Sequence, residues 1–348
     1  VLKAAGIENV HYLGNPVTTQ RTDVKSVESS SVRDRLQEAF YRRFPKFSGL
    51  ERVLLYPVRT IRRKNVLEAG VLAAISEPES ALIVTLPGVS DAERQYSDLV
   101  QEAFTSGLIR GLWGIGPELD RVGLSFGDLV GASDAIVSSS VQEGFGYQYV
   151  SALMEGKPLI ARRLDVLEDV EALFDGTPHH FYDRVVVPTG SPTVTNPRSY
   201  LKFRYTERIE RLSNTLPEPA IQSLHEQVQK ALSGDTLEFS YLLPHMQFSY
   251  LKDISENPEF RQEVRALNPS LSEAADTLPG QVFSGGDAKV LATFGSPAYA
   301  QRVRAALQTI QPGRPQRSGG SPPSGNGKPD TAVLSFFATL EYQRLLYD

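Results

Sequence analysis

The sequence contains no cysteine, two methionines, one tryptophan and only five histidines among 348 residues. Without cysteine there are no disulfides, no thiolate nucleophile and no Cys-based metal site, and five dispersed histidines give no reason to expect a metal centre. No apolar run approaches the ~18–20 residues that span a bilayer, and no cationic-then-apolar signal segment opens the chain. A cationic excess is missing as well. The net charge of −5 argues against nucleic acid or an anionic membrane as the main partner, since both reward a large basic surface. The expected setting is cytoplasmic.

What remains is an ordinary globular composition, 41% hydrophobic and 22% charged, in a chain long enough for two domains. The opening VLKAAGIENVHYLGNPV reads as the last turns of a helix at Val1–Ala5 stopped by Gly6, then a strand at Val10–Leu13 and a Gly-Asn-Pro turn. A domain rarely starts in mid-unit, so residues 1–17 are expected to end or hinge onto an N-terminal portion outside this chain.

After a polar stretch, Ser31 and Asp34 resemble a helix start, with Val32, Leu36, Ala39, Phe40 and Phe44 spaced for one apolar face. Strand and helix patterns then alternate. Apolar runs at Val53–Val58, Ala81–Leu86, Ile109–Trp113, Ala135–Val137 and Pro158–Arg162 read as buried strands. Helical spacing falls between them at Asn65–Ile75, after a Ser90/Glu93 capping box, and at Phe126–Ala132. Short connections between such units imply a parallel sheet with right-handed crossovers. The expected fold is α/β, a Rossmann-like doubly wound parallel sheet over residues 18–188.

From about Thr189 the strand pattern is lost. Helices are expected at Arg198–Leu212, Glu218–Leu232, Phe239–Ile254, Pro258–Leu267 and Pro297–Ile310, forming an α-helical extension over 189–310. Residues 311–330 have linker composition, and 331–348 recover apolar and aromatic character as a C-terminal helix expected to dock on a surface.

Two loops carry candidate chemistry. Arg59-Thr-Ile-Arg-Arg-Lys64-Asn65 follows the first buried strand and enters a helix. Glu143-Gly144-Phe145-Gly146 follows the fourth. Ligands of open parallel sheets bind outside the carboxyl ends of strands. Arg59 and Lys64 could clamp a diphosphate between two cations and a helix N-terminus. Glycines there let backbone N–H groups approach sugar hydroxyls. Either loop alone is commonly just a solvated turn; the combination is informative. His179-His180 is expected in a surface loop, because adjacent residues of an extended segment point to opposite sides.

These pieces resemble the retaining GT-B glycosyltransferases of the family 4 group. The matching words are VRTIRRKN, ASDAIVSSSVQEGFG and ALMEGKPLIA, with HYLGNPV resembling the hinge strand before the family's second domain. The resemblance covers about residues 10–170. It implies that the chain is the C-terminal, donor-binding half of a GT-B fold. A nucleoside-diphosphate sugar would be the substrate, with no bound cofactor and no metal, and a small molecule or glycan the acceptor. By the same resemblance Arg59, Lys64 and Glu143 are the catalytic candidates. Arg59 and Lys64 would neutralise the leaving diphosphate, and Glu143 with Gly144, Phe145 and Gly146 would hold the sugar. Turnover would need the missing N-terminal domain. The extension would dock on that domain or make a homo-oligomer.

One position departs from the family pattern. Ser151 stands where a second glutamate would bind the donor ribose, and a hydroxyl cannot give a carboxylate's paired contact. Glu155, one helical turn on, is a candidate substitute. The departure keeps a non-catalytic, glycosyltransferase-like binding or scaffolding module as the alternative. A nucleotide-sugar epimerase is more distant.

Overall fold

The structure, a computed structural model, describes residues 10, 13–18, 28–47, 52–309, 334 and 336–346. The expected helix end at Val1–Ala5 and the linker over 311–330 lie outside the described residues.

The sheet is parallel throughout and six strands wide: β1 (Arg52–Arg59), β2 (Ser80–Leu86), β3 (Gly111–Trp113), β4 (Ala135–Ser138), β5 (Leu159–Arg162) and β6 (His179–Tyr182). Their order is β3-β2-β1-β4-β5-β6. β1 is the pivot: Leu54 faces Leu82 of β2 on one side and Ala135 of β4 on the other. β4 is buried along its whole length, as its unbroken apolar run requires of a strand covered on both faces. This is a Rossmann-like doubly wound unit.

The expected strands 1–5 are all present, within two residues at each end. Two readings need correction. His179 and His180 do not lie in a surface loop but in β6, paired with Leu159 and Ile160 of β5. Alternation does hold: the rings of His179 and Phe181 lie 4.8 Å apart on one side, with Phe174 against both. The strand pattern also does not end at Thr189, since β7 (Val186–Pro188) pairs antiparallel with β8 (Thr236–Glu238) inside the expected helical region. Three-residue strands carry too little alternation to register in a sequence pattern.

The helices of the sheet unit are α1 (Ser29–Phe40), α2 (Val66–Ile75), α3 (Asp91–Thr105), α4 (Phe126–Ala132) and α5 (Tyr147–Met154). α3 has the expected Ser90/Glu93 capping box, and α4 has another from Ser125 and Asp128. The extension supplies α6 (Arg198–Leu212), α7 (Glu218–Ala231), α8 (Pro244–Glu256), α9 (Pro258–Leu267), α10 (Pro269–Thr277), α11 (Gly286–Phe294) and α12 (Ser296–Thr309). α8 starts later than the pattern suggested, because Pro244 favours the first turn and Phe239–Tyr241 forms a separate 3₁₀ turn. α10 and α11 were not expected.

The extension is a second layer on the sheet unit. α2 is buried at every position, the mark of a helix covered all round, because α8, α9 and α10 pack over it. A side chain at Gly70 would come within 2.6 Å of Ile109 Cδ1 and 3.3 Å of Leu251 Cδ2, so that glycine permits the close approach of three elements. α11 lies on α5 with comparable intimacy, Gly286 facing the Leu153 carbonyl. At the C-terminus Leu334, Phe336 and Phe337 are helical, but Ala338–Leu346 run as turns rather than as a continuing helix. That segment does dock: Ala338, Leu340, Leu345 and Leu346 are buried.

Candidate functional site

The strand order reverses between β1 and β4, and the loops leaving their carboxyl ends are the two singled out by sequence. After β1 a 3₁₀ turn at Arg62–Lys64 leads to Asn65, which adopts a left-handed conformation (φ 50°) before α2 begins. Asn65 is fully buried and both polar atoms of its amide are hydrogen-bonded. Nδ2 donates to Glu68 Oε2 (2.7 Å), while Oδ1 accepts from Arg62 Nη1 (3.1 Å) and Gln247 Nε2 (3.0 Å). Asparagine is among the few non-glycine residues that tolerate this conformation.

The loop after β4 is stitched to that turn. Tyr56 Oη donates to the Lys64 carbonyl (2.7 Å) and shares a hydrogen bond with Ser140 Oγ (2.9 Å). Ser139 Oγ donates to the Asn65 carbonyl (2.9 Å), and Val141 N to the Arg63 carbonyl (2.9 Å). Burial pushes the Tyr56 phenol well above its ordinary pKa, so it stays a donor. The Ser-rich stretch is therefore a buried seam that fixes the two loops relative to each other.

Across this seam the Lys64 ammonium meets the Glu143 carboxylate, both nearly buried. Burial lowers the Lys64 pKa, and attraction to Glu143 only partly restores it. Arg63, which carries no motif of its own, joins them: its Nη1 is 3.4 Å from Glu143 Oε2 and donates to the Gln142 carbonyl (3.0 Å). Arg59 is placed differently. It is half exposed and pairs with Glu93 Oε1 at 3.2 Å, at the N-terminus of α3. Of the expected cations, then, Lys64 contacts Glu143 directly and Arg59 borders the site from the β2 side.

Gly144, Phe145 and Gly146 lead into α5. Gly146 has φ 76°, and a Cβ there would lie 2.6 Å from the Tyr149 ring, so the fold itself demands glycine. Gly144 has neither constraint: its φ is not left-handed and a Cβ would meet nothing within 4 Å. Phe145 turns its ring away from solvent, edge-on to Phe294 of α11 at 5.3 Å. Ser151 is half-buried on α5. Glu155 caps the C-terminal end of that helix, one turn beyond Ser151. Two polar groups at the site had no sequence signal. Gln148, in the first turn of α5, is buried with both amide atoms unpartnered, and Ser138 Oγ at the end of β4 is likewise orphaned. Buried unpaired polar groups are costly unless something else meets them.

From Glu143 a cleft of about 1430 Å³ opens over the ends of β5 and β6. Its far side is formed by α7 and the C-terminal segment, with Lys230, Phe336 and Phe337 on the wall. Under it runs a buried ionic chain. Arg162 makes a bidentate contact with Glu68 (2.7 and 2.8 Å) and reaches Glu238 Oε1 (2.8 Å), which also faces Arg344 Nη2 (3.4 Å). Tyr182 Oη donates to Glu68 Oε1 (3.0 Å). Because Glu68 also holds Asn65, the chain runs from the C-terminal segment to the turn carrying Lys64. Among the described residues no three His, Asp or Glu side chains converge as a metal site, and no helix is long and apolar enough to cross a membrane.

The fold and its switch-point loops define a Rossmann-like unit with a candidate site and a helical second layer. In sequence the chain is 28% identical to a mannosylglucosyl-3-phosphoglycerate synthase of Petrotoga mobilis, over 98% of this chain and 64% of that protein. The chain thus spans a little under two thirds of that relative's length. No family model matches it. Among solved structures, similarity is found to Anabaena HepE in complex with UDP-glucose (14% identity, 81% of this chain and 54% of that one, TM-score 0.37). A sucrose-phosphate synthase of Thermosynechococcus elongatus is also similar (16% identity, 85% and 49%, TM-score 0.34).

Proposed function

We propose that the chain is the donor-binding part of a hexosyltransferase of the retaining GT-B type, using a nucleoside-diphosphate sugar. The observation that carries this reading is the Lys64–Glu143 pair at the strand-order reversal, with Arg63 beside it and the exposed glycine backbone of Gly144 next in the chain. The similarity to mannosylglucosyl-3-phosphoglycerate synthase supports it and suggests the acceptor: a hexose joined to a phosphoglycerate group.

In the proposed reaction the bond from the anomeric carbon to the diphosphate oxygen breaks, and the acceptor hydroxyl oxygen bonds to the same face of that carbon. The acceptor proton passes to the leaving phosphate. Negative charge grows on that phosphate, and Lys64, Arg63 and Arg59 are the cations within reach of it; cations fixed in advance stabilise such charge without reorganisation. Glu143 and the N–H groups of Gly144, Phe145 and Gly146 hold sugar hydroxyls. Ser151 gives the ribose one hydrogen bond in place of a carboxylate's two. Acceptor placement and exclusion of water call for an opposing N-terminal domain.

Ser151 favours one second reading, a glycosyltransferase-like module that binds without catalysing. An assay of nucleotide-sugar consumption by a version of about the relative's full length separates them. Transfer that falls at least tenfold in Arg59→Ala and Glu143→Ala supports the enzyme. Binding of nucleotide sugar with neither transfer nor hydrolysis supports the module.

A further inference from the structure

The cleft beyond Glu143 is lined by five carboxylates, and each has a partner. Glu143 faces Lys64 and Arg63, and Glu238 faces Arg162 and Arg344. Asp165 accepts from Tyr342 Oη, Asp183 lies 3.7 Å from Arg163, and Glu341 accepts from Tyr241 Oη at 3.4 Å. Two cations on the same walls have no such partner among the described residues: Arg184, in the turn between β6 and β7, and Lys230, in the last turn of α7. Three of the acids face a cation and two a tyrosine hydroxyl, while Arg184 and Lys230 face no acid among the described residues, so the mouth of the cleft offers an anion two cations that are not already paired.

The far wall, beside Lys230, is aromatic. The C-terminal segment is held by the Leu340 N–H donating to Gln227 Oε1 (2.9 Å), by Tyr342 on Asp165, and by Arg344 Nε donating to Ser240 Oγ (2.9 Å). Ala338, Leu340, Leu345 and Leu346 are buried, yet Phe336 and Phe337 stay about 40% exposed on the cleft, their ring centroids 5.2 Å apart, with Tyr342 5.1 Å from Phe337. A segment that buries Leu340, Leu345 and Leu346 and shows its aromatic rings to a polar cleft has the make-up of a carbohydrate platform. The C–H face of a pyranose packs on a ring while its hydroxyls meet polar groups.

We infer that this cleft is an acceptor subsite, built within the chain from the turn between β6 and β7, α7 and the C-terminal segment, for a hexoside carrying a phosphate or carboxylate. The aromatic rings take the sugar, and Arg184 with Lys230 take the anion. The inference rests on the transferase reading, which puts the transferred sugar at Glu143, where the cleft begins. It adds that part of acceptor recognition lies on the donor-side domain rather than wholly on an opposing one.

Calorimetric titration of the full chain tests it with four probes: glucosyl-3-phosphoglycerate, 3-phosphoglycerate, glucose, and a nucleoside diphosphate. The phosphorylated glucoside is expected to bind more tightly than either of its halves. The Arg184→Ala/Lys230→Ala variant should weaken the glucoside and 3-phosphoglycerate at least tenfold. Phe336→Ala/Phe337→Ala should weaken the glucoside alone, and neither variant should alter nucleotide binding. All four side chains are exposed, so thermal midpoints should hold within a few degrees, and far-UV circular dichroism checks this. Nucleotide binding without glucoside binding, or glucoside binding unchanged in both variants, overturns the subsite and leaves the transferase reading standing. Glucoside binding with the expected losses but no nucleotide binding supports the subsite and overturns the donor reading.

Discussion

Lys64 and Glu143 lie 79 residues apart in sequence and meet as an ion pair across the point where strand order reverses. The pair neutralises the cation that a diphosphate would use, so an incoming donor has to take the place of Glu143 at the ammonium while offering that carboxylate a sugar hydroxyl. Removing each partner should therefore have different effects. Lys64→Ala should weaken both nucleoside diphosphate and nucleotide sugar by roughly 10–100-fold, the worth of a charge-assisted hydrogen bond. Glu143→Gln should leave the bare diphosphate bound as well as or better than before, while the added affinity of the sugar disappears. Equilibrium titrations with both ligands check this.

The same pair predicts a pH dependence. Burial lowers the Lys64 pKa below the ordinary lysine value of 10.5, so the ammonium loses its proton, and its hold on an anion, earlier on the alkaline side than a solvated lysine would. Diphosphate affinity measured across alkaline pH should start to fall below 10.5. An affinity flat through that point would show that Lys64 does not contact the ligand.

Gly144 and Gly146 separate folding from binding. Gly146→Ala forces a Cβ into the Tyr149 ring at a left-handed residue and should lower the thermal midpoint, at a cost of about 1–2 kcal/mol or more. Gly144→Ala meets nothing in the protein and should keep the midpoint, yet weaken nucleotide-sugar binding, because the methyl intrudes where ligand and backbone approach. Thermal melts with and without ligand distinguish the two.

The buried ionic chain should behave as a unit. Arg162→Leu leaves Glu68 and Glu238 buried beside a lost cation and should cost about 3–5 kcal/mol, whereas Glu68→Leu/Arg162→Leu should cost less than the sum of the single changes. Burial opposes ionisation of Glu238, but Arg162 and Arg344 outweigh it and hold its pKa below the ordinary 4.5. A carboxylate whose folded pKa is depressed contributes fully above its unfolded value and loses that contribution as pH falls through the folded one. Stability should drop on acidification below about 4.5, and Glu238→Gln should flatten that slope; denaturant melts across acidic pH measure both.

The strands β1, β2 and β4 were legible because each is an apolar run covered on both faces, and the candidate loops followed from their ends. β6 was not, because a strand reading His-His-Phe-Tyr at the sheet edge lacks the aliphatic run that marks a buried one. The two loops of the candidate site could be named from Arg59, Lys64 and the Glu143–Gly146 words. Which cation meets Glu143 could not, since it depends on a seam of Tyr56, Ser139 and Ser140 that only the fold assembles. The Glu68–Arg162–Glu238–Arg344 chain was invisible for the same reason: Arg162 is 94 residues from one partner and 76 from the other. Gln148 gave no signal because a glutamine in a helix is ordinary until both its amide atoms are found buried and unpaired.

The central claim is that the Lys64–Glu143 junction receives a nucleoside diphosphate and its sugar. Isothermal titration of the protein with a panel of nucleoside diphosphates and the matching nucleotide hexoses, run in parallel on Lys64→Ala, tests it most directly. The account predicts saturable one-to-one binding of at least one pair, lost or weakened tenfold or more in the variant. Absence of binding by every member of the panel, or equal binding by the variant, would contradict it.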